Sequence, residues 1–226
     1  ITKWRSPVGA YGINIIAKLL AVEALFMLPA LALALAKGES SSAVAFALVI
    51  ILMLALALPF ALRKGGNKNF FAREGLLTVG IGWILVSAFG ALPFCISGAI
   101  PNYIDCFFET VSGFTTTGAT ILEDIEQLPM SILYWRSFTH WLGGMGVLMF
   151  MMILSPLTGK DGGENMHLLR AESPGIKISK LVPRMKRSAS ILYAIYVFLT
   201  LLQVVLLLIG RVPLFDSVTI AFGTAG

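Results

Sequence analysis

The sequence predicts an all-α polytopic membrane protein in which one pair of transmembrane helices brackets a re-entrant hairpin. Three observations predict it. Hydrophobic residues make up 57% of the 226 residues and charged residues 13%, about half the charge of an ordinary soluble domain. The charge is gathered into a few stretches, leaving apolar runs of about 20 residues, the length that crosses a roughly 30 Å hydrocarbon core. Between two of those runs lies Gly98–Met130, too polar to cross and too apolar for an ordinary loop, and within it stands SGFTTTGAT (Ser112–Thr120).

Taken in order, the first span is expected over Gly12–Ala36 and the second over Ala43–Leu62. The third covers Leu76–Ser97, the fourth Ser131–Leu157 and the fifth Ser188–Gly210. The first run is too long for the apolar region of a cleavable signal peptide, and no small-residue cleavage site follows it. Within it, Lys18 is read as snorkelling, and Glu23 has no assigned role.

Orientation follows from the basic residues. Thirteen of the seventeen Lys and Arg fall in the N-terminal segment, the second–third linker and the fourth–fifth linker. The positive-inside rule places that side, and with it the N-terminus, in the cytoplasm. The stretch from Gly98 to Met130 is then external. It holds Asp105, Glu109, Glu123, Asp124 and Glu126 with no Lys or Arg. The net charge of +5 therefore belongs to membrane-flanking loops rather than to a nucleic-acid surface.

Two motif readings fail on spacing. TGKDGG (Thr158–Gly163) lacks the upstream glycine of a phosphate loop, since Leu154 stands there, and Asp161 replaces its Ser/Thr. The basic 159–187 linker suits contact with anionic lipid or a cytoplasmic partner. Cys95 and Cys106 belong to no zinc pattern; two buried thiols are the expected state, with a bond between them as the alternative.

Within the external stretch, Pro101 precedes a short amphipathic helix over Tyr103–Ser112. Phe107, Phe108 and Val111 form its apolar side, Asp105 suits its N-terminal dipole, and Gly113 can terminate it. The β-branched Thr115, Thr116 and Thr117 continue poorly as helix. Span, short helix, extended Thr/Gly segment, return and span make a re-entrant hairpin, which membranes tolerate where the backbone lines water or is buried in protein. Such a segment can strip water from a cation. Main-chain carbonyls and threonine hydroxyls replace the hydration shell, and glycine permits the backbone dihedrals this needs. Neutral hard oxygens suit a monovalent ion that must leave again. An irregular loop beside a turn is the plainer alternative.

The flanking residues carry weaker signals. Glu109 fits either an acid capping nearby amides or one tuning the external mouth. Arg136, costly in a span unless paired, is expected in a structural ion pair with Glu123, Asp124 or Glu126. His140 falls among Tyr134, Trp135 and Trp141, read as an interfacial aromatic belt. Gly143, Gly144 and Gly146 are read as close helix packing. FFETVSGF from Phe107 is echoed by LFDSVTIAF from Leu214, each after a span and a proline, an internal repeat.

FFETVSGFTTTGAT, LPMSILYWRSFTHWLGGMGVLMFMMILSP and FDSVTIAFGTAG resemble the Trk/Ktr/HKT superfamily of potassium transporters, in particular its TrkH/TrkG/KtrB-like membrane subunits. The resemblance spans roughly Leu76–Gly226. It implies M1–pore helix–M2 repeats with re-entrant filter hairpins, preceded by two extra transmembrane helices. Residues 1–70 would be that N-terminal pair, and 71–158 the first repeat, with Asn102–Gly113 as its pore helix and the filter at 115–118. Residues 159–187 would be a cytoplasmic linker, and 188–226 the M1 and pore helix of a second repeat. Thr115, Thr116, Thr117 and Gly118 would bind the transported potassium ion, supported by Glu109, Ser112 and Gly113. With one and a half of four repeats, the chain is expected to be part of a longer one. The resemblance further implies potassium uptake across a bacterial cytoplasmic membrane with no bound cofactor, a homodimer, and a cytoplasmic RCK-type nucleotide-binding regulatory subunit (TrkA/KtrA-like). The alternatives are a non-conducting accessory subunit and an intramembrane hydrolase using Ser112 and His140. No covalent chemistry is expected of the favoured reading.

Overall fold

The computed structural model describes residues 10–62, 72–158 and 181–226. Among them the backbone is helical, without strands. The helices are α1 (Ala10–Phe26), α2 (Leu28–Lys37), α3 (Ser40–Ala61), α4 (Ala72–Ile96), α5 (Tyr103–Phe114), α6 (Met130–Thr158), α7 (Leu181–Ile209) and α8 (Leu214–Ala225). Among the described residues, four segments are long and apolar enough to cross a membrane: Gly12–Lys37, Ser40–Ala61, Gly75–Ile96 and Ala189–Ile209. The fourth predicted span is helical throughout as α6.

Three boundaries differ from expectation. The first span is two helices meeting at Met27, with Pro29 in the first turn of the second. Proline has no N–H to offer the preceding turn, yet Met27 N still donates to Glu23 O (3.1 Å) and Leu31 N to Met27 O (3.0 Å). Hydrogen bonding therefore runs on through the break. The helix of the fifth span, α7, is described from Leu181, within the predicted linker. The rest of that linker, including the phosphate-loop-like segment after Thr158, lies outside the described residues. The short helix after Pro101 continues past Gly113 to Phe114.

The chain divides into two compact units, Ile1–Thr139 and His140–Gly226. In the first, α1 packs on α3 and α4, α2 on α3, and α5 on α4. Asn14 Nδ2 donates to the carbonyls of Phe60 (2.7 Å) and Ala61 (3.1 Å), which satisfies acceptors that the end of α3 leaves unpaired. The centre of this unit is Trp135, wholly buried. Its ring lies edge-on to Phe46 of α3 and Phe114 of α5, each 6.4 Å away between centroids, and its Nε1 donates to Gly90 O of α4 (2.9 Å). Each such aromatic pair contributes about 0.5–1.5 kcal/mol beyond burial alone. Trp135 was expected in an interfacial belt; it is a core residue, because its indole N–H finds a main-chain acceptor there.

In the second unit α7 packs against α8. Tyr196 donates to Trp141 O (3.0 Å) and Tyr193 to Met145 O (3.3 Å). A Cβ on Gly144 would stand 2.5 Å from the Tyr196 hydroxyl. That close approach is what the glycines of α6 were expected to permit. Trp141 packs on Tyr196 and Phe222, and His140 is buried.

Candidate functional site

The site is the hairpin from α5 through residues 115–129 to the start of α6. Asn102 opens α5: its Oδ1 accepts from Ile104 N (3.1 Å), pairing one of the orphan donors of a helix start. Asp105 lies in the first turn. The buried side of α5 is not Phe107, Phe108 and Val111. It is Cys106, Glu109, Thr110, Ser112, Gly113 and Phe114, while Phe108 is 43% exposed. This inversion follows from the partners. Gly90 of α4 has no side chain, so α5 comes close enough that a Cβ there would meet Thr110 Cγ2 at 2.9 Å and Phe114 at 3.1 Å. Thr110 and Phe114 occupy that contact, and Phe108 is left on the exposed side of the helix. Cys106 is a free thiol donating to Ile100 O (3.3 Å), and Cys95 is also free.

The end of α5 is closed by main-chain bonds rather than by Gly113. Thr117 N donates to Ser112 O and Thr116 N to Gly113 O, both at 2.9 Å. This is a Schellman closure, whose C′ residue adopts the left-handed conformation and is usually glycine. Here it is Thr116, at φ +56°, a conformation that strains a β-branched residue. Gly118 also has positive φ, at +72°, where glycine is unstrained. Thr115 Oγ1 donates to Val111 O (2.7 Å) and lies 2.8 Å from Thr117 Oγ1. Ser112 Oγ donates to Ala119 O across the turn (2.6 Å), which commits the hydroxyl considered as a nucleophile. Among the described residues, no donor is bonded to the main-chain carbonyl oxygens of residues 115–118.

Glu109 organises the return limb. It is 1% exposed. Its Oε1 accepts from the Thr120 hydroxyl (2.6 Å) and from Ile121 N (2.8 Å), and its Oε2 from Arg136 Nε (2.9 Å). Thr120 Oγ1 accepts in turn from Leu122 N (3.1 Å). Arg136 is thus paired with Glu109, not with Glu123, Asp124 or Glu126, which are exposed. Asp124 instead caps its own loop, accepting from Glu126 N (3.0 Å) and Gln127 Nε2 (2.7 Å). The buried acid prevails because an arginine at 12% exposure needs a partner at its own depth, whereas loop acids in water gain little from pairing.

The arrangement therefore leaves four main-chain carbonyls without a donor among the described residues, beside the mutually bonded hydroxyls of Thr115 and Thr117, with the neighbouring carboxylate fully engaged in holding the limb. Its chemistry is that of neutral oxygen ligands. Among the described residues no three His, Cys, Asp or Glu side chains cluster as a metal site would require. Sequence reasoning named Thr115–Gly118, Glu109, Ser112, Gly113 and Arg136. It missed Gly90, Trp135, Thr120 and the Ile121 amide, which bear on the hairpin only through contacts distant in sequence.

The profile of the TrkH family, described as a cation transport protein, matches residues 41–215. The chain is 41% identical over 156 residues to the Trk system potassium uptake protein TrkH of Salmonella typhimurium, covering 68% of this chain and 32% of that protein. It is 36% identical over 148 residues to the potassium uptake protein TrkG of Escherichia coli K12, covering 65% and 30%. Among solved structures it resembles the crystal structure of the potassium transporter TrkH from Vibrio parahaemolyticus. The TM-score is 0.74 at 28% identity, covering 94% of this chain and 42% of that one. The chain spans about a third of the length of these sequence relatives.

Proposed function

Because this chain belongs to the TrkH family of cation transport proteins, we propose that it forms part of a pore that takes up potassium, with residues 115–118 as one segment of the selectivity filter. The observation that carries the proposal is the set of main-chain carbonyls from Thr115 to Gly118, which no donor among the described residues engages. They lie directly beyond the C-terminus of α5, whose partial negative charge favours a cation. Carbonyl oxygens of this kind replace the water that a potassium ion sheds on entering a narrow pore. The Schellman closure and the Ser112–Ala119 bond hold the turn rigid. Glu109 and Arg136 hold the limb beyond it.

On this reading α4, α5 and α6 are the M1, pore helix and M2 of one repeat, α1–α3 the preceding hairpin, and α7 with α8 the M1 and pore helix of the next. The relatives are named as Trk system proteins, which supports a multi-component assembly. We extend this to a homodimer regulated by a cytoplasmic RCK-type nucleotide-binding subunit. The charge asymmetry supports a cytoplasmic N-terminus in a bacterial cytoplasmic membrane. Uptake then runs down the electrical gradient, which supplies about 2.3 kcal/mol per charge per 100 mV.

The test is potassium and sodium uptake by the full-length protein in a host lacking its own potassium uptake. Gly118→Ser, which puts a side chain on a residue at φ +72°, is expected to lower uptake rate or potassium-over-sodium discrimination. Unchanged discrimination at normal membrane abundance would remove the filter assignment.

A further inference from the structure

The turn between α2 and α3 reaches both helices that flank the hairpin. Gly38, at φ +71°, ends α2 with its N–H directed at Ala34 O and Leu35 O. The chain then presents Glu39 and Ser41 to residues far away in sequence. Ser41 Oγ donates to Ser97 O, just beyond α4 (2.7 Å). The Glu39 carboxylate accepts from Met130 N (2.7 Å), Ser131 N (3.1 Å) and the Ser131 hydroxyl. Met130 and Ser131 are the first two residues of α6.

A helix start leaves N–H groups unpaired, and a side chain just before the helix normally accepts one of them. The residue before α6 is Pro129, which has no acceptor in its side chain. The cap comes instead from the N-terminal hairpin. A carboxylate there also faces the positive end of the helix dipole. The external ends of α4 and α6 are thereby tied to one turn.

This tie meets the filter limb. Arg136 lies six residues after Met130, under two turns of helix, and reaches Glu109, which holds Thr120 and Ile121. The limb between Gly118 and α6 is therefore anchored by one acid at its beginning and by another at its end.

We propose that Glu39 is a positioning residue for ion selection. By fixing the start of α6 it sets the position of Arg136, and through Glu109 the geometry of residues 115–121. The N-terminal hairpin is then part of the selectivity apparatus. The inference rests on the filter assignment, but its test can fail separately.

The experiment compares wild type, Glu39→Gln, Glu39→Ala and the double variant Glu39→Ala with Pro129→Asp in the full-length protein. Potassium and sodium uptake are measured per copy in the membrane. Glu39→Gln keeps the side-chain volume and one acceptor oxygen, so it remains informative if Glu39→Ala fails to accumulate. The expected result is a several-fold rise in half-saturating potassium and a several-fold loss of potassium-over-sodium discrimination. The maximal rate per copy should stay within about twofold. The double variant supplies a local cap but no tie to the hairpin, and should not recover discrimination. Wild-type discrimination in Glu39→Gln, or its full recovery in the double variant, overturns the proposal. Amide exchange over residues 119–131 of purified full-length protein reads the anchor without transport. It should quicken in Glu39→Gln, and unchanged exchange also overturns the proposal. Absence of potassium uptake by wild type itself would instead count against the filter assignment.

Discussion

The helices α5 and α8 start alike, and of the two only α5 carries a fully buried charge. Each has 12 residues, comes after a span and carries an aspartate at its third position, Asp105 and Asp216. Aligned from their first residues, Cys106 corresponds to Ser217 and Thr110 to Ala221, all fully buried. Glu109, by contrast, corresponds to Ile220, which is 44% exposed. The echo read from the sequence matched Glu109 with Asp216, since both are acids beside Ser or Thr and Val. In that register Thr110 and Ser217, Ser112 and Thr219, and Phe114 and Ala221 are buried in both helices, while Asp216 is half-buried where Glu109 is fully buried. The shared residues therefore make the helix and its packing. Glu109 serves the limb beyond α5, through Thr120, Ile121 and the arginine of α6.

The largest break in this comparison comes from substituting that position in each helix. Glu109→Ala strands Arg136 and leaves the Thr120 hydroxyl and Ile121 amide without an acceptor. Removing one partner of a buried pair costs about 3–5 kcal/mol, and a strongly lowered melting temperature of the full-length protein in detergent is expected. Ile220→Ala should cost below about 1 kcal/mol, because much of that side chain is already exposed. Equal losses at the two sites would mean that the acid belongs to the helix rather than to the limb.

Gly90→Ala comes next. Its Cβ would stand 2.9 Å from both Thr110 Cγ2 and Glu23 Oε1, and such overpacking costs about 1–3 kcal/mol. Thermal unfolding reads the loss, and relief by a second change, Thr110→Ser, would locate the clash on α5. Smaller again is the N-cap. Asn102→Ala should cost about 1 kcal/mol, whereas α8 starts after Pro213 with no side-chain cap to lose. The smallest change has the opposite sign. Thr116→Gly removes left-handed strain and should stabilise by up to about 1 kcal/mol, a rise of a few degrees in the same melt. A fall would mean that the threonine side chain contributes more to the turn than its backbone conformation costs.

The membrane class, the helical segments and the Thr/Gly hairpin were legible because they depend on composition and near-neighbour pattern. Glu23 shows where legibility ends. It is 4% exposed, and neither carboxyl oxygen has a hydrogen-bond partner among the described residues. It faces Gly90, where Thr110 offers a methyl group because its hydroxyl donates to Cys106 O (2.8 Å). Nothing local to Glu23 announces that contact. The partner of Arg136 was misread for a related reason: nearness in sequence favoured the loop acids, and depth of burial favoured Glu109.

By itself the sequence determined that the chain is helical and apolar, where its helices run, and that a hydroxyl-rich turn interrupts them. Each of those properties is set by residues within a few positions of one another. Only the tertiary structure decided which face of α5 turns inward, that Trp135 is core, and that Glu109 and Glu39 brace the hairpin from either end. Those outcomes depend on depth and on partners roughly 10 to 90 residues away, and buried polar groups pair with whatever donor or acceptor shares their depth.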